Sequence, residues 1–215
     1  MQVLDEKTKG FTLLEILVVV VIVGIISAIA LPNFSDWQKD REIRTVAEKV
    51  ANMFSNISTQ TQRGSYPYVQ IYIDPRNNEL KFESRGMSQS TMSTLLNKFT
   101  ASSLNCQTNA NYVKGGLNFW TNKKIKEIKS KKVAINFNEE GAVCFSKDGS
   151  YYETMGKIVG GDVAIILCLR SNHSSTGVCP TTKTAGLTKP AYRVLWSRFA
   201  NIEKHRWSGD AWTRQ

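Results

Sequence analysis

This sequence predicts an α+β fold, and three features carry that expectation. An apolar run of 21 residues extends from Phe11 to Leu31, a helix-spaced stripe continues to Ile57, and short β-like runs take over from Tyr66. The architecture expected is one long N-terminal α-helix, hydrophobic and then amphipathic, packed on an antiparallel β-sheet domain.

The apolar run is about 31 Å long as a helix, the thickness of a bilayer's hydrocarbon core. It contains one acid, Glu15, near its start. A carboxylate at the centre of such a span costs about 2.5–3.5 kcal/mol, and less near the end, but it still needs a partner. Pro32 removes a backbone donor and is expected to kink the helix. Beyond it, Phe34, Trp37, Val46, Ala47, Val50, Phe54 and Ile57 recur at spacings of three and four with one longer gap. One helix is therefore expected from about Phe11 to Gln62, capped at Gly64, with its second half buried under a sheet.

From Tyr66 the pattern becomes strand-like. Tyr68–Ile73 alternates and meets the turn pair Asp74-Pro75, then Leu80–Glu83 closes a hairpin. Ser88–Phe99 reads as a short helix and Asn105–Lys114 as polar loop. Leu117–Trp120, Val133–Phe137, Ala142–Phe145, Val163–Leu169, Tyr192–Phe199 and Ile202–Trp207 are the remaining strand candidates. Asn138–Gly141 and Lys147–Gly149 are turns, and Ser171–Leu187, rich in Ser, Thr and Gly, is an exposed loop. No internal repeat and no second globular domain is visible.

The 215 residues suit one membrane segment plus one globular domain. The formal charge is 28 − 18 = +10. Met1–Gly10 contains Asp5, Glu6, Lys7 and Lys9 and is neutral, so the remaining 205 residues keep 26 − 16 = +10. That excess favours anionic partners such as nucleic acid, acidic lipid or polysaccharide, and is equally the charge of a basic soluble surface. Cys106, Cys144, Cys168 and Cys179 are even in number, which in an oxidising compartment suggests two disulfides. Three pairings exist and the sequence does not choose among them. Cys168–Cys179 as a local loop, leaving Cys106–Cys144, is the first expectation. A zinc site is the rival, but there is no Cys-x-x-Cys pair and His173 is the only nearby histidine. No metal or cofactor is expected.

The N-terminus differs from a conventional signal peptide, whose apolar core precedes the cut. Here the charged part lies before Gly10 and the apolar part after it. The stretch Gly10-Phe11-Thr12-Leu13-Leu14-Glu15, the body Ile16–Val23 and the segment Gly24–Pro32 resemble the leader and N-terminal helix of type IV pilins and type II secretion pseudopilins. The resemblance is strong over residues 7–54 and much weaker beyond. Ala134–Gly141 and the closing strand Tyr192–Ser197 look most like the GspH/FimT type of minor subunit.

The resemblance implies a leader over residues 1–10, a transmembrane and assembly helix over 11–32, its amphipathic continuation over 33–64 and a β-rich globular pilin domain over 65–215. It implies cleavage between Gly10 and Phe11 by a membrane prepilin peptidase, then N-methylation of Phe11. A residue without a side chain at Gly10 lets the protease approach the backbone, and Lys7 and Lys9 hold the leader in the cytoplasm. Glu15 would pair with the N-terminal amine of a neighbouring subunit. In an apolar bundle, breaking such a pair costs about 3–5 kcal/mol, so Glu15 can report register. Its local alternative is a helix-start acid favoured by the macrodipole, worth about 0.3–1 kcal/mol.

The implied protein is a minor type IV pilin. It would be anchored in the inner membrane, N-terminus in the cytoplasm and globular domain in the periplasm, and would then join other pilin subunits in a pilus at the cell surface. A minor pseudopilin of a type II secretion system and a DNA-binding minor pilin of DNA uptake are the alternatives. For the latter, Lys123, Lys124 and Lys126 in a lysine-rich run, and Arg198, Lys204 and Arg206 among C-terminal aromatics, are the candidate contacts. The Gly-Arg-x-Arg motif of the DNA-binding relatives has no counterpart, because Glu203 intrudes and the glycine is absent. The alternative reading of both clusters is solvated strand edges and core aromatics. Catalysis has little support: the two histidines, His173 and His205, are distant in sequence, and Gly160-Gly161-Asp162 and Gly115-Gly116 are turn signals. A structural subunit, not an enzyme, is expected.

Overall fold

The computed structural model describes residues 10–64, 66–98, 106, 113–114, 117–118, 124–147, 149, 153–156, 164–199 and 201–215. The fold is α+β, an N-terminal helix with antiparallel sheets. The chain divides into two compact units, Met1–Lys39 and Asp40–Gln215. Helix α1, Leu13–Gln62, is continuous in secondary structure through Pro32 and supplies residues to both.

In the first unit the apolar side chains of α1 point outward on every side. Large apolar residues from Leu13 to Ile26 are 47–84% exposed. A helix that is apolar all round belongs in lipid or in the core of an assembly, not in water. Phe34 and Trp37, expected in the buried stripe, are 59% and 53% exposed and touch each other, ring centroids 5.6 Å apart.

The second unit is built on residues 40–62 of α1. Ile43, Ala47, Val50, Met53, Phe54 and Ile57 form its buried face, at helical spacings of three and four. Gly64, at φ +74°, ends the helix where expected, its amide donating to the Thr61 carbonyl at 3.2 Å.

The strands follow in chain order. They are β1 (Tyr68–Asp74), β2 (Leu80–Met87), β3 (Val113–Lys114), β4 (Leu117–Asn118), β5 (Lys124–Ser130), β6 (Val133–Ile135), β7 (Gly141–Ser146), β8 (Glu153–Gly156), β9 (Ala164–Leu169), β10 (Ala191–Trp196), β11 (Ile202–Trp207) and β12 (Trp212–Arg214); helix α2, Gln89–Lys98, lies between β2 and β3. They form two five-stranded antiparallel sheets, in the orders β5-β2-β1-β7-β8 and β12-β11-β10-β9-β6, plus the small pair β3-β4. The pair β3-β4 begins inside the stretch read as polar loop.

Strand periodicity aims one face of each sheet at the helix. Val69, Ile71 and Ile73 of β1, Phe82 of β2 and Val143 and Phe145 of β7 join the core from the first sheet. Ile165, Leu167 and Leu169 of β9 and Tyr192, Val194 and Trp196 of β10 join it from the second. The β1–β2 hairpin turns through Asn77 and Asn78, both at positive φ (57° and 55°), the conformation asparagine tolerates best after glycine. Arg76 donates to Asp74 and Glu140, and Tyr72 donates to Glu140 at 2.6 Å, which locks this turn to the one before β7. Disulfides join Cys106 to Cys144 and Cys168 to Cys179.

Candidate assembly helix and basic surface

Gly10, Phe11 and Thr12 precede α1, and Gly10 and Phe11 are exposed, Phe11 by 79%. Thr12 caps the helix. Its carbonyl accepts from the amides of Glu15 (3.1 Å) and Ile16 (3.2 Å), and its hydroxyl accepts from the Glu15 amide at 3.2 Å. Thr12-x-x-Glu15 is a capping-box spacing before an apolar run, a helix-start signal already present in the sequence. Glu15 thus sits in the first turn, at the positive end of the helix dipole, with its side chain exposed. Ser27, the one hydroxyl in the body of the run, donates to the Val23 carbonyl at 2.7 Å, so its polar group is satisfied within the helix.

Within α1, residues 13–28 of this run, about 24 Å of helix, are exposed. Among the described residues, no helix is long and apolar enough to cross a membrane. The sequence run continues to Leu31, and Pro32 lies inside α1.

Lys124 and Lys126 belong to the first sheet, Lys204 and Arg206 to the second, and Arg198 lies in the turn between β10 and β11. Lys123 lies outside the described residues, and Lys124 opens β5. Lys126 is exposed on β5, which is an edge strand of the first sheet. Lysine along an edge discourages pairing with another chain, so the solvated-edge reading fits this cluster. It fails for the second cluster, because β11 lies inside its sheet between β10 and β12.

The cations of that second cluster contact the protein itself. Lys204 reaches Glu48 of α1 at 3.3 Å, and Arg206 reaches Asp40 at 3.1 Å. Arg198 donates to the Gly149 carbonyl at 2.9 Å and lies over the ring of Phe199. Arg44 joins Glu48 as well, and its hydrogen bond is the main reason the Glu48 carboxyl is held below its ordinary range. Tyr192 also donates to Asp40, at 3.1 Å, and burial first, then Asp40, pushes its phenol up to about 12. Of the C-terminal aromatics, Tyr192, Trp196 and Trp207 are buried and Trp212 is partly buried, whereas Phe199 is 56% exposed. His205 lies between Arg193, 3.1 Å from its Nδ1, and Glu203, 3.1 Å from its Nε2. Among the described residues there is no cluster of His, Cys, Asp and Glu that could hold a metal ion.

Residues 7–31 match a family model described as the prokaryotic N-terminal methylation motif. Fimbrial protein EcpB of Eikenella corrodens is 34% identical over 97 residues, which is 45% of this chain and 60% of that protein. Fimbrial protein Q of Moraxella bovis is 48% identical over 44 residues, 20% of this chain and 28% of that protein. The type IV major pilin protein PilA of Myxococcus xanthus (strain DK1622) is also 48% identical over 44 residues, 19% of this chain and 20% of that protein. No solved structure matches. Over part of its length the chain is thus similar to type IV pilins and fimbrial proteins. The chain spans 60% of the length of the first of these relatives and under a third of the other two.

Proposed function

We propose that this chain is a minor type IV pilin of the GspH/FimT type, a structural subunit made as a membrane-anchored precursor. In this reading residues 1–10 are a leader removed by a prepilin peptidase, and Phe11 becomes the methylated N-terminus. Residues 11–32 anchor the subunit in the inner membrane and later pack against other subunits, residues 33–64 continue the helix, and residues 65–215 form the exported domain. The observation that carries it is the apolar run at the start of α1. Its described side chains are exposed on all sides, the helix starts three residues after Gly10, and the one acid of the run is placed in the first turn.

Trp37 suits the membrane–water boundary, where amphipathic aromatic rings collect. The two disulfides suit an oxidising compartment outside the cytoplasm. The DNA-uptake reading has less support, because Arg198, Lys204 and Arg206 already contact groups of the protein.

Replacing Gly10 with valine tests the processing step. The expected result is a chain that inserts in the membrane, keeps its leader on a denaturing gel and is absent from purified filaments. Normal trimming and incorporation of Gly10→Val would refute the proposal.

A further inference from the structure

One end of the second sheet carries a concentration of positive charge. The register brings Val133, Leu169, Ala191, Trp207 and Trp212 to that end. Helix residues 40–44 run past it, since Tyr192 and Arg206 both donate to Asp40.

Two loops extend the same rim. On one side the β5–β6 turn presents Lys131 and Lys132. Lys132 pairs with Glu42, while the Arg170 backbone amide donates to the Lys132 carbonyl at 2.8 Å. On the other side lies the β11–β12 turn, Ser208–Ala211. There Lys183 pairs with Asp210, and the Lys189 side chain lies so close to Gly209 that a Cβ there would meet its Cε at 2.7 Å.

Asp40, Glu42 and Asp210, the acids in these contacts, are met by Arg206, Lys132 and Lys183. Lys131, Lys189 and Arg170 add three further positive charges. The Arg170 guanidinium donates to the carbonyls of Lys131 and Val133, which do not neutralise it. Lys131 and Lys189 are exposed. Trp212, partly buried against Trp207 with ring centroids 5.1 Å apart, adds the kind of side chain enriched at headgroup level.

We propose that this rim docks on the acidic phospholipid headgroups of the membrane that holds the precursor. The inference rests on the anchoring reading, because the apolar run ends at Leu31, nine residues before Asp40. Duplex nucleic acid offers the same phosphate chemistry, but the helix residues next to this rim, from Asp40 on, follow the apolar run closely in the sequence, which favours lipid. Each cation near an anionic surface strengthens binding about five-fold. An excess of three cations over the acids of the rim therefore suffices to hold the domain on the surface until the subunit is drawn into a filament.

The test uses the full chain in nanodiscs of phosphatidylcholine alone and of phosphatidylcholine mixed with phosphatidylglycerol. Hydrogen exchange is read at the amides of residues 183–189 and 206–211. The expected result is several-fold slower exchange in the acidic discs, reversed by high salt and absent in a Lys131→Glu, Lys189→Glu double variant. If that variant misfolds, the salt series on the unaltered chain decides alone. Equal exchange in both discs overturns the rim inference and leaves anchoring intact. Slowing by added duplex DNA in neutral discs, without slowing by acidic lipid, overturns it in favour of nucleic acid. A chain that enters neither disc overturns the anchoring reading and this inference with it.

Discussion

Phe54 of α1 stacks on Trp196 of β10, their ring centroids 4.5 Å apart and their planes 28° from parallel. The same Phe54 meets Phe145 of β7 edge-on, at 6.1 Å and 85°. One helix residue therefore wedges between the two sheets, and both depend on it. Phe54→Ala should remove about 3–5 kcal/mol of stability, read by chemical denaturation of the second unit within the full chain. A loss below about 1 kcal/mol would mean that the wedge is not where the sheets are joined.

Alkaline stability should report the Tyr192–Asp40 contact. The Tyr192 phenol is pushed from an ordinary 10.0 up to about 12, chiefly by burial and then by the Asp40 charge. A raised pKa means that the unfolded chain ionises first. The stabilisation is complete below about pH 10 and is lost as pH rises toward 12. Tyr192→Phe should cost about 1–2 kcal/mol at neutral pH and flatten the decline between pH 10 and 12. An unchanged alkaline slope would remove Tyr192 from the account.

Acid should act on the opposite set of groups. The Asp74 carboxyl is held below its ordinary 3.8, first by the side-chain hydrogen bond from Arg76. A depressed pKa gives stability that is present above the unfolded value and is lost as pH falls through the folded one. Arg76→Ala should therefore make the loss of stability below about pH 4 shallower. A variant that unfolds on the same acid curve as the parent would contradict this.

Gly86 tests packing on the first sheet. A Cβ at this position would lie 2.4 Å from Cδ1 of Tyr66. Gly86→Ala should cost about 1–3 kcal/mol, and most of that cost should vanish when Tyr66 is also alanine. Equal costs with and without the tyrosine ring would place the strain elsewhere.

Glu15→Ala should leave membrane insertion and leader removal intact while reducing incorporation into filaments. Removing the acid also removes a first-turn charge, but that term is only about 0.3–1 kcal/mol and would not abolish assembly. Gel mobility reports trimming and immunoblots of sheared filaments report incorporation. Normal filaments from the variant would leave Glu15 with only its helix-start role.

Features carried by contiguous residues were legible in the sequence. The methylation motif, the acid and the apolar body occupy one uninterrupted stretch, and Gly64 marks the helix end by its own conformation. The hairpin at Asn77-Asn78 is similarly local. The division into two sheets was not legible, because it depends on pairings such as Tyr68 with Ser146, far apart in the chain. Strand β5 was missed because Lys124-Ile-Lys-Glu-Ile-Lys-Ser has no clean alternation; its Ile128, on an edge strand, joins the core. The short strands β8 and β12 were missed as well. The fate of the C-terminal cations was hidden for the same reason. Arg206 meets Asp40 across 166 residues, and no local pattern announces that a strand cation will be matched by a helix acid. The exposure of Phe34 and Trp37 shows the limit of periodicity: helix spacing gives a face but not what covers it.

Mass spectrometry of the mature polypeptide tests the central claim most directly. The account predicts a chain that begins at an N-methylated Phe11 and keeps the whole apolar helix. A mature protein that begins at any other residue, or that has lost residues 11–31, would contradict it.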